Sequence, residues 1–378
     1  MKVVHVVRQY LPSVGGLEEV VRNLAHQQSR GGRYTPTVLT LNRVFRTGGT
    51  LLPATETLDG VKVKRLAYTG SERYPLCPQV AGALRGADLV HVHGIEFFFD
   101  YLALLHPLMR KPMLASTHGG FFHSGFASRL KKIYFRTVTP LSAKAYQKVI
   151  ATSENDGQLF GPVVPTGRLQ VIENGVDMRK FADAASPELR PVMIYFGRWS
   201  VNKGLLECID VLAALCQQQP EVPWQLMIAG REYDLDAKAL QRYAQARGVA
   251  GRISLQPNPG VAELRQLIGM ASYFLCLSHH EGFGIAPIEA ISAGLIPLLS
   301  PIPPFVRLFR TTCSGVLLDA PSAALQAGQI SALHAQMGDD ARRHAVCETA
   351  AYAALHAYSW QGVAARYARQ YDLALGLS

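Results

Sequence analysis

The sequence predicts an α/β protein of two doubly wound domains, each a mostly parallel sheet covered by helices. Three observations carry this prediction. Short apolar runs of strand length alternate with helix-length segments along nearly all of the 378 residues. That pattern belongs to parallel sheets buried on both faces. The alternation breaks once, at Asp183-Ala-Ala-Ser-Pro-Glu-Leu-Arg-Pro191, where two prolines and small residues mark a linker. The length suits two domains of ordinary size.

The first series opens with a strand at Val3–Val7 and a helix at Leu17–Arg30. Val38–Leu41, Val61–Leu66, Leu89–His93, Met113–Thr117 and Val149–Thr152 supply further strands. After the linker the second series begins at Val192–Phe196. Its strands continue at Gln225–Ala229, Ile253–Gln256, Tyr273–Leu277, Ile296–Leu299 and Val316–Leu318. Leu205–Gln217 and Ala237–Ala246 are helices between them, and a last helix runs from Trp360 to Leu375. The expected domains are 1–183 and 184–357, followed by a closing segment, 358–378. Two such domains on a short linker leave a cleft between their strand ends, and clefts of that kind bind ligands.

Composition narrows the function. Apolar residues make up 48% and charged residues 17%, as in a globular chain. No apolar run reaches the roughly 18 residues needed to cross a bilayer. The opening Met1-Lys-Val-Val-His-Val-Val is cut short by Arg8 and reads as a first strand, not a signal peptide. The six cysteines form no Cys-x-x-Cys, which points to free thiols in a reducing compartment and away from a structural metal. Residues 1–185 hold 23 Lys+Arg against 13 Asp+Glu, and residues 186–378 hold 15 of each. The whole excess of +10 therefore lies in the first half, which favours anionic partners such as lipid headgroups or diphosphates.

The most informative segment is Glu281-Gly-Phe-Gly-Ile-Ala-Pro-Ile-Glu289. The buried strand before it places Glu281 on a strand-to-helix loop. Pro287 is tolerated in the first turn of the helix that follows, so Glu289 lies on that helix. Doubly wound sheets hold their ligands at the carboxyl ends of strands, and two acids there can grip a polyol at two points. A second loop, Gly197-Arg198-Trp-Ser-Val-Asn-Lys203-Gly204, places two cations after the first strand of the second series. Fixed cations stabilise negative charge that grows on a departing phosphate. Arg can hold phosphate oxygens in pairs, while Lys acts as a point charge. In the first domain, Gly15 and Gly16 of Leu11-Pro-Ser-Val-Gly-Gly-Leu-Glu-Glu19 let the backbone approach a ligand at a helix start. His118 ends a strand in Ser116-Thr-His-Gly-Gly120. His91 and His93 share one face of a strand, with no third metal ligand apparent. Ser153 reads as a helix cap.

These motifs together resemble the retaining glycosyltransferases of family 4, which have the GT-B fold of two Rossmann-like domains facing across a cleft. The match covers the Glu-x7-Glu segment with its Gly-Phe-Gly, the Gly-x-x-Pro tail at Gly294–Pro297, Arg198 with Lys203, the Gly-Gly-x-Glu loop and Asn174-Gly-Val-Asp177. The resemblance implies that Arg198 and Lys203 bind the donor diphosphate and replace a metal ion. It implies that Glu281 binds hydroxyls of the transferred sugar, with Gly282, Phe283, Gly284 and Ile285 contributing backbone amides. Glu289 would hold the ribose diol, Gly15 and Gly16 would touch donor or acceptor, and His118 would sit beside the donor sugar. The implied catalytic set is His118, Glu281, Arg198 and Lys203, with no metal and no cofactor. Attack is expected on the same face as departure, with the leaving phosphate taking the acceptor proton. The final helix is expected to cross back to the first domain.

Over nearly its whole length the chain also resembles mannosyltransferases of bacterial exopolysaccharide assembly, of the xanthan and acetan type. That implies GDP-mannose as donor, an α-1,3 bond, and a cellobiosyl-type oligosaccharide on polyprenyl diphosphate as acceptor. A UDP-sugar donor in other cell-surface glycan synthesis stays open, as does a non-catalytic carbohydrate-binding protein. A dinucleotide-dependent oxidoreductase is disfavoured because G-x-G-x-x-G is missing. No nucleic acid is expected as partner: paired acids in a cleft repel phosphates. Arg129-Leu-Lys-Lys-Ile-Tyr-Phe-Arg136 and Lys144-Ala-Tyr-Gln-Lys148 mix cations with apolar residues and could rest on anionic lipid. The expected location is cytoplasmic, peripheral on the inner face of the cytoplasmic membrane.

Overall fold

A computed structural model describes residues 1–13, 15–45, 51–72, 75–118 and 128–377, with backbone alone for 128–132. The chain divides into two compact units. The first is Met1–Gly175 with Trp360–Ser378, and the second is Val176–Ser359.

The first unit carries strands β1 (Lys2–Val6), β2 (Thr35–Leu41), β3 (Thr55–Leu58), β4 (Val61–Leu66), β5 (Thr69–Gly70), β6 (Pro75–Leu76), β7 (Leu89–His93), β8 (Met113–Ser116), β9 (Lys148–Ala151) and β10 (Leu169–Val171). Eight of them form one sheet in the order β10-β9-β8-β7-β1-β2-β4-β3, and β5 pairs with β6. The sheet is parallel except for the antiparallel pair β3–β4. Helices α1 (Gly16–Gly31), α2 (Val80–Ala83), α3 (Phe97–Met109), α4 (Ser128–Ala143) and α5 (Glu154–Phe160) belong to it. Ser153 caps α5 by accepting a bond from the Asp156 amide, as its position suggests.

The second unit has strands β11 (Val192–Phe196), β12 (Gln225–Gly230), β13 (Ile253–Pro257), β14 (Tyr273–Cys276), β15 (Ile296–Leu299) and β16 (Val316–Leu317). They lie in the order β13-β12-β11-β14-β15-β16, all parallel. Its helices are α6 (Leu205–Gln218), α7 (Ala237–Ala246), α8 (Val261–Ile268), α9 (Ile285–Ser292), α10 (Pro303–Thr312), α11 (Ala323–Gln336) and α12 (Asp340–Tyr358). The core is one cluster built on Tyr195, Phe196, Trp224 and Phe274.

The units divide within Asn174-Gly-Val-Asp177, earlier than the expected 183/184. The reason is packing: Phe181 is fully buried in the second core, and the Val176 amide donates to the Tyr358 carbonyl at 2.7 Å. The last helix, α13 (Trp360–Leu375), belongs to the first unit. Its Val363, Tyr367 and Tyr371 are buried against Val3, Leu24, Leu89 and Ile150. Among the described residues no helix is long and apolar enough to cross a membrane.

Candidate active site

Strand order reverses twice in a way that matters. In the second sheet, β11 and β14 are neighbours, while their successors β12 and β15 run outward on opposite sides. The carboxyl ends of β11 and β14 therefore form a topological switch point, the place where open α/β sheets hold ligands. Lys203 follows β11 and Glu281 follows β14. Their side chains meet, with Lys203 Nζ donating to Glu281 Oε1 at 2.5 Å. Ser278, fully buried, donates its hydroxyl to the same oxygen at 2.9 Å.

The two loops are locked to each other by backbone. The His279 amide donates to the Asn202 carbonyl at 2.9 Å, and Asn202 Nδ2 donates to the His280 carbonyl at 2.8 Å. Gly204 adopts φ +66°, and a Cβ there would lie 2.1 Å from the Leu277 carbonyl oxygen. Only glycine permits that approach, so the sequence brings the cation loop against the acid loop through a missing side chain.

Arg198, on the same loop as Lys203, is exposed and lies over the Tyr233 ring at 5.0 Å. Among the described residues it makes no ion pair, which leaves its guanidinium available to an anion. Glu289 projects from α9 and pairs with Lys180 Nζ at 3.0 Å. Burial pushes its carboxyl above the usual range, Lys180 partly offsets this, and Asp177 adds to it. Both Glu281 and Glu289 take these protein hydrogen bonds on Oε1, so a second carboxylate oxygen of each can accept from a ligand hydroxyl. Between them, Gly282 and Ile285 are exposed, Phe283 meets the Tyr358 ring edge-on at 5.9 Å, and Gly284 starts α9 at φ +87° without a side-chain cap. The first-turn amides of α9 thus have no capping side chain.

The first unit has its own switch point, between β1 and β7. Gly15 and Gly16 follow β1 and begin α1. The Glu18 carboxylate folds back over Gly15, where a Cβ would lie 2.4 Å from its oxygen, while the space at Gly16 is open. His118 follows β8 with φ +49° and is partly buried. Its Nε2 lies 3.0 Å from His93 Nδ1. Burial lowers the His118 pKa to about 4, against the opposing field of Asp156. Val14, Gly119 and Gly120 of the two motifs lie outside the described residues.

The expectation that His91 and His93 lack a third imidazole is corrected. His5, on the neighbouring strand β1, brings its ring beside theirs, with nitrogens of all three within 4.8 Å of one another. Sequence spacing could not reveal His5, because the neighbour comes from strand pairing. Ser278 and Lys180, the partners of the two acids, were also not anticipated. Lys180 lies 109 positions from Glu289 and carries no local signal.

In the first unit, α3 packs against α4, and Leu104, Leu108, Ile133 and Leu141 are exposed by 60–83%. Arg110, Arg136 and Lys144 are exposed beside them in the chain. The side chains of Arg129, Lys131 and Lys132, part of the predicted basic run, lie outside the described residues.

Known proteins share this architecture. Residues 14–180 match the model of Glycosyltransferase Family 4, and residues 177–351 match Glycosyl transferases group 1. The chain is 51% identical, over 100% of its length and 98% of the relative's, to a GDP-mannose:cellobiosyl-diphosphopolyprenol alpha-mannosyltransferase of Xanthomonas oryzae pv. oryzae. It is 44% identical to one from Komagataeibacter xylinus, over 100% of this chain and 94% of that protein. Among solved structures, a glycosyltransferase from Rickettsia africae superposes with a TM-score of 0.68 at 17% identity, over 100% of this chain and 99% of that one. Anabaena HepE in complex with UDP superposes with a TM-score of 0.67 at 17% identity, over 99% and 100%.

Proposed function

The chain belongs to glycosyltransferase family 4, and on that premise we propose that it transfers mannose from GDP-mannose to cellobiose carried on a diphosphopolyprenol. The observation that carries this reading is the full-length identity of 44–51% to relatives named for that reaction. The product bond is α-1,3 with retained configuration, and the setting is exopolysaccharide assembly.

In this reading the second unit holds the donor. Glu289 accepts from the ribose hydroxyls, and Glu281 accepts from hydroxyls of mannose. Gly282 to Ile285 offer backbone amides, and Arg198 and Lys203 face the diphosphate. As the glycosidic bond breaks, charge accumulates on the phosphate oxygens, and preorganised cations stabilise it more than they stabilise the ground state. Lys203 can keep one N–H on Glu281 and turn two others to phosphate. No divalent ion is needed for this. The acceptor hydroxyl attacks from the face the phosphate leaves, and a phosphate oxygen takes its proton. Gly15, Gly16 and His118 are assigned, in the same reading, to contact with donor or acceptor.

Membrane association at the inner face of the cytoplasmic membrane fits a polyprenyl-linked acceptor. It is supported by the exposed leucines and isoleucine of α3 and α4 beside Arg110, Arg136 and Lys144. The test is radiolabelled transfer to a panel of lipid-linked sugars, from GDP-mannose and from UDP sugars in parallel. Label in the cellobiosyl lipid from GDP-mannose alone supports the reading, and preferential transfer from a UDP sugar rejects it.

A further inference from the structure

Four imidazoles, the Gln28 amide and the Tyr371 hydroxyl form a single hydrogen-bonded chain inside the first unit. His118 Nε2 lies 3.0 Å from His93 Nδ1, His93 Nε2 lies 2.9 Å from His5 Nδ1, and His5 Nε2 lies 2.8 Å from Gln28 Oε1. Gln28 is buried on α1. Its Nε2 donates to Tyr371 Oη at 3.2 Å, and Tyr371 Oη lies 2.7 Å from His91 Nδ1. His91 Nε2 lies 2.8 Å from Ser116 Oγ, which is 3.2 Å from the Tyr367 hydroxyl.

We propose that Gln28 is a positioning residue that fixes the ring tautomer of His118 through His5 and His93. A neutral imidazole has one N–H and one bare nitrogen. The amide oxygen of Gln28 can only accept, so His5 carries its proton on Nε2. His5 Nδ1 is then bare and must accept from His93 Nε2–H. His93 Nδ1 is bare in turn and accepts from His118 Nε2–H. The chain thus ends with His118 Nδ1 unprotonated, an acceptor. The other arm follows from the same residue. The Gln28 amide N–H occupies the Tyr371 oxygen, Tyr371 donates to His91 Nδ1, and His91 gives its Nε2–H to Ser116. All four rings are therefore Nε2–H tautomers.

Turning the Gln28 amide over would reverse every bond and make all four Nδ1–H. A break midway would set two N–H groups, or two lone pairs, against each other in a buried site, which is costly. The tautomers are therefore set together. Burial holds the rings neutral: His5 and His118 are lowered to about 4, His91 and His93 well below their ordinary value. The consequence for transfer rests on the reading above, in which His118 lies beside the donor sugar: it would accept from a sugar hydroxyl, not donate to it.

The test is long-range proton–nitrogen correlation NMR on the full-length protein with isotope-labelled histidine near neutral pH. Single His substitutions assign the four rings. The expected result is the Nε2–H pattern for His5, His91, His93 and His118. In Gln28→Met, His118 becomes a mixture of tautomers and kcat for mannosyl transfer falls several-fold with donor KM unchanged. An Nδ1–H pattern in the wild type would overturn the proposal, as would an unchanged His118 tautomer in folded Gln28→Met. If that variant does not fold, the wild-type pattern decides alone. Joint displacement of the His5, His91 and His93 signals by added zinc would make the cluster a metal site and also overturn it. Absence of mannosyl transfer in the wild type would instead defeat the functional reading and leave the tautomer result standing.

Discussion

Lys203 and Glu281 lie 78 positions apart and meet at 2.5 Å, because β11 and β14 are adjacent strands whose carboxyl ends open side by side. The pair joins the cation proposed for the diphosphate to the acid proposed for the sugar. Each side chain also keeps the other from being a lone charge in a partly buried place.

Removing either partner therefore acts on both functions. Lys203→Ala and Glu281→Ala should each lower kcat by roughly 10²–10³-fold, the scale for loss of one preorganised electrostatic contact. The double variant should lose less than the product of the two, since the contact is shared. Transfer kinetics and a thermal unfolding midpoint on each variant check this. Near-normal turnover in both singles would remove the assigned roles.

Much of this site was legible in the sequence. Glu281, Arg198 and Lys203 sit at strand-to-helix junctions that apolar runs and glycines mark directly. What was not legible depends on contacts across the sheet. Ser278 and Lys180 look like ordinary polar residues until β14 and the 176–183 segment are placed. His5 looks like an interruption of the first strand until pairing with β7 sets it beside His91. The edge strand Thr55-Glu-Thr-Leu58 was missed because it is short, polar and half exposed. The unit boundary was misplaced because the residues around Asp183 read as a linker, whereas Phe181 just before them is anchored in a core.

Glu289 should impose a pH limit on donor binding. It accepts from a ribose diol most strongly when ionised, and its folded pKa is raised, chiefly by burial. Donor affinity should therefore weaken on acidification from a pH above the usual carboxylate range. In Glu289→Gln that acid limb should vanish, with weaker binding throughout. Calorimetric titration of GDP-mannose across pH reads both effects, and an unshifted limb in the variant would reassign it.

The buried histidines should make the protein acid-labile well above the carboxylate range. A histidine depressed in the folded state contributes stability that is complete above the unfolded pKa and is lost as pH falls toward the folded value. For His5 that window runs from 6.5 down to about 4. At pH 5 the loss from His5 alone is roughly 2 kcal/mol. Urea unfolding at successive pH values should show the decline, and His5→Gln should make it shallower, since His91, His93 and His118 remain buried and depressed. A flat wild-type profile between neutrality and pH 5 would contradict the burial of neutral rings.

Leu104→Glu with Leu108→Glu should abolish binding to vesicles of anionic phospholipid while leaving the fold intact, because both side chains are largely exposed. Wild-type binding should weaken on neutral vesicles and as salt is raised. Cosedimentation reads all three. Undiminished binding of the double variant would place the membrane contact elsewhere.

The most direct test of the whole account is transfer from radiolabelled GDP-mannose to cellobiosyl-diphosphopolyprenol in excess chelator. Side-chain cations acting in place of a divalent ion predict an undiminished rate, lost in Lys203→Ala. A rate abolished by chelator and restored by magnesium would contradict it.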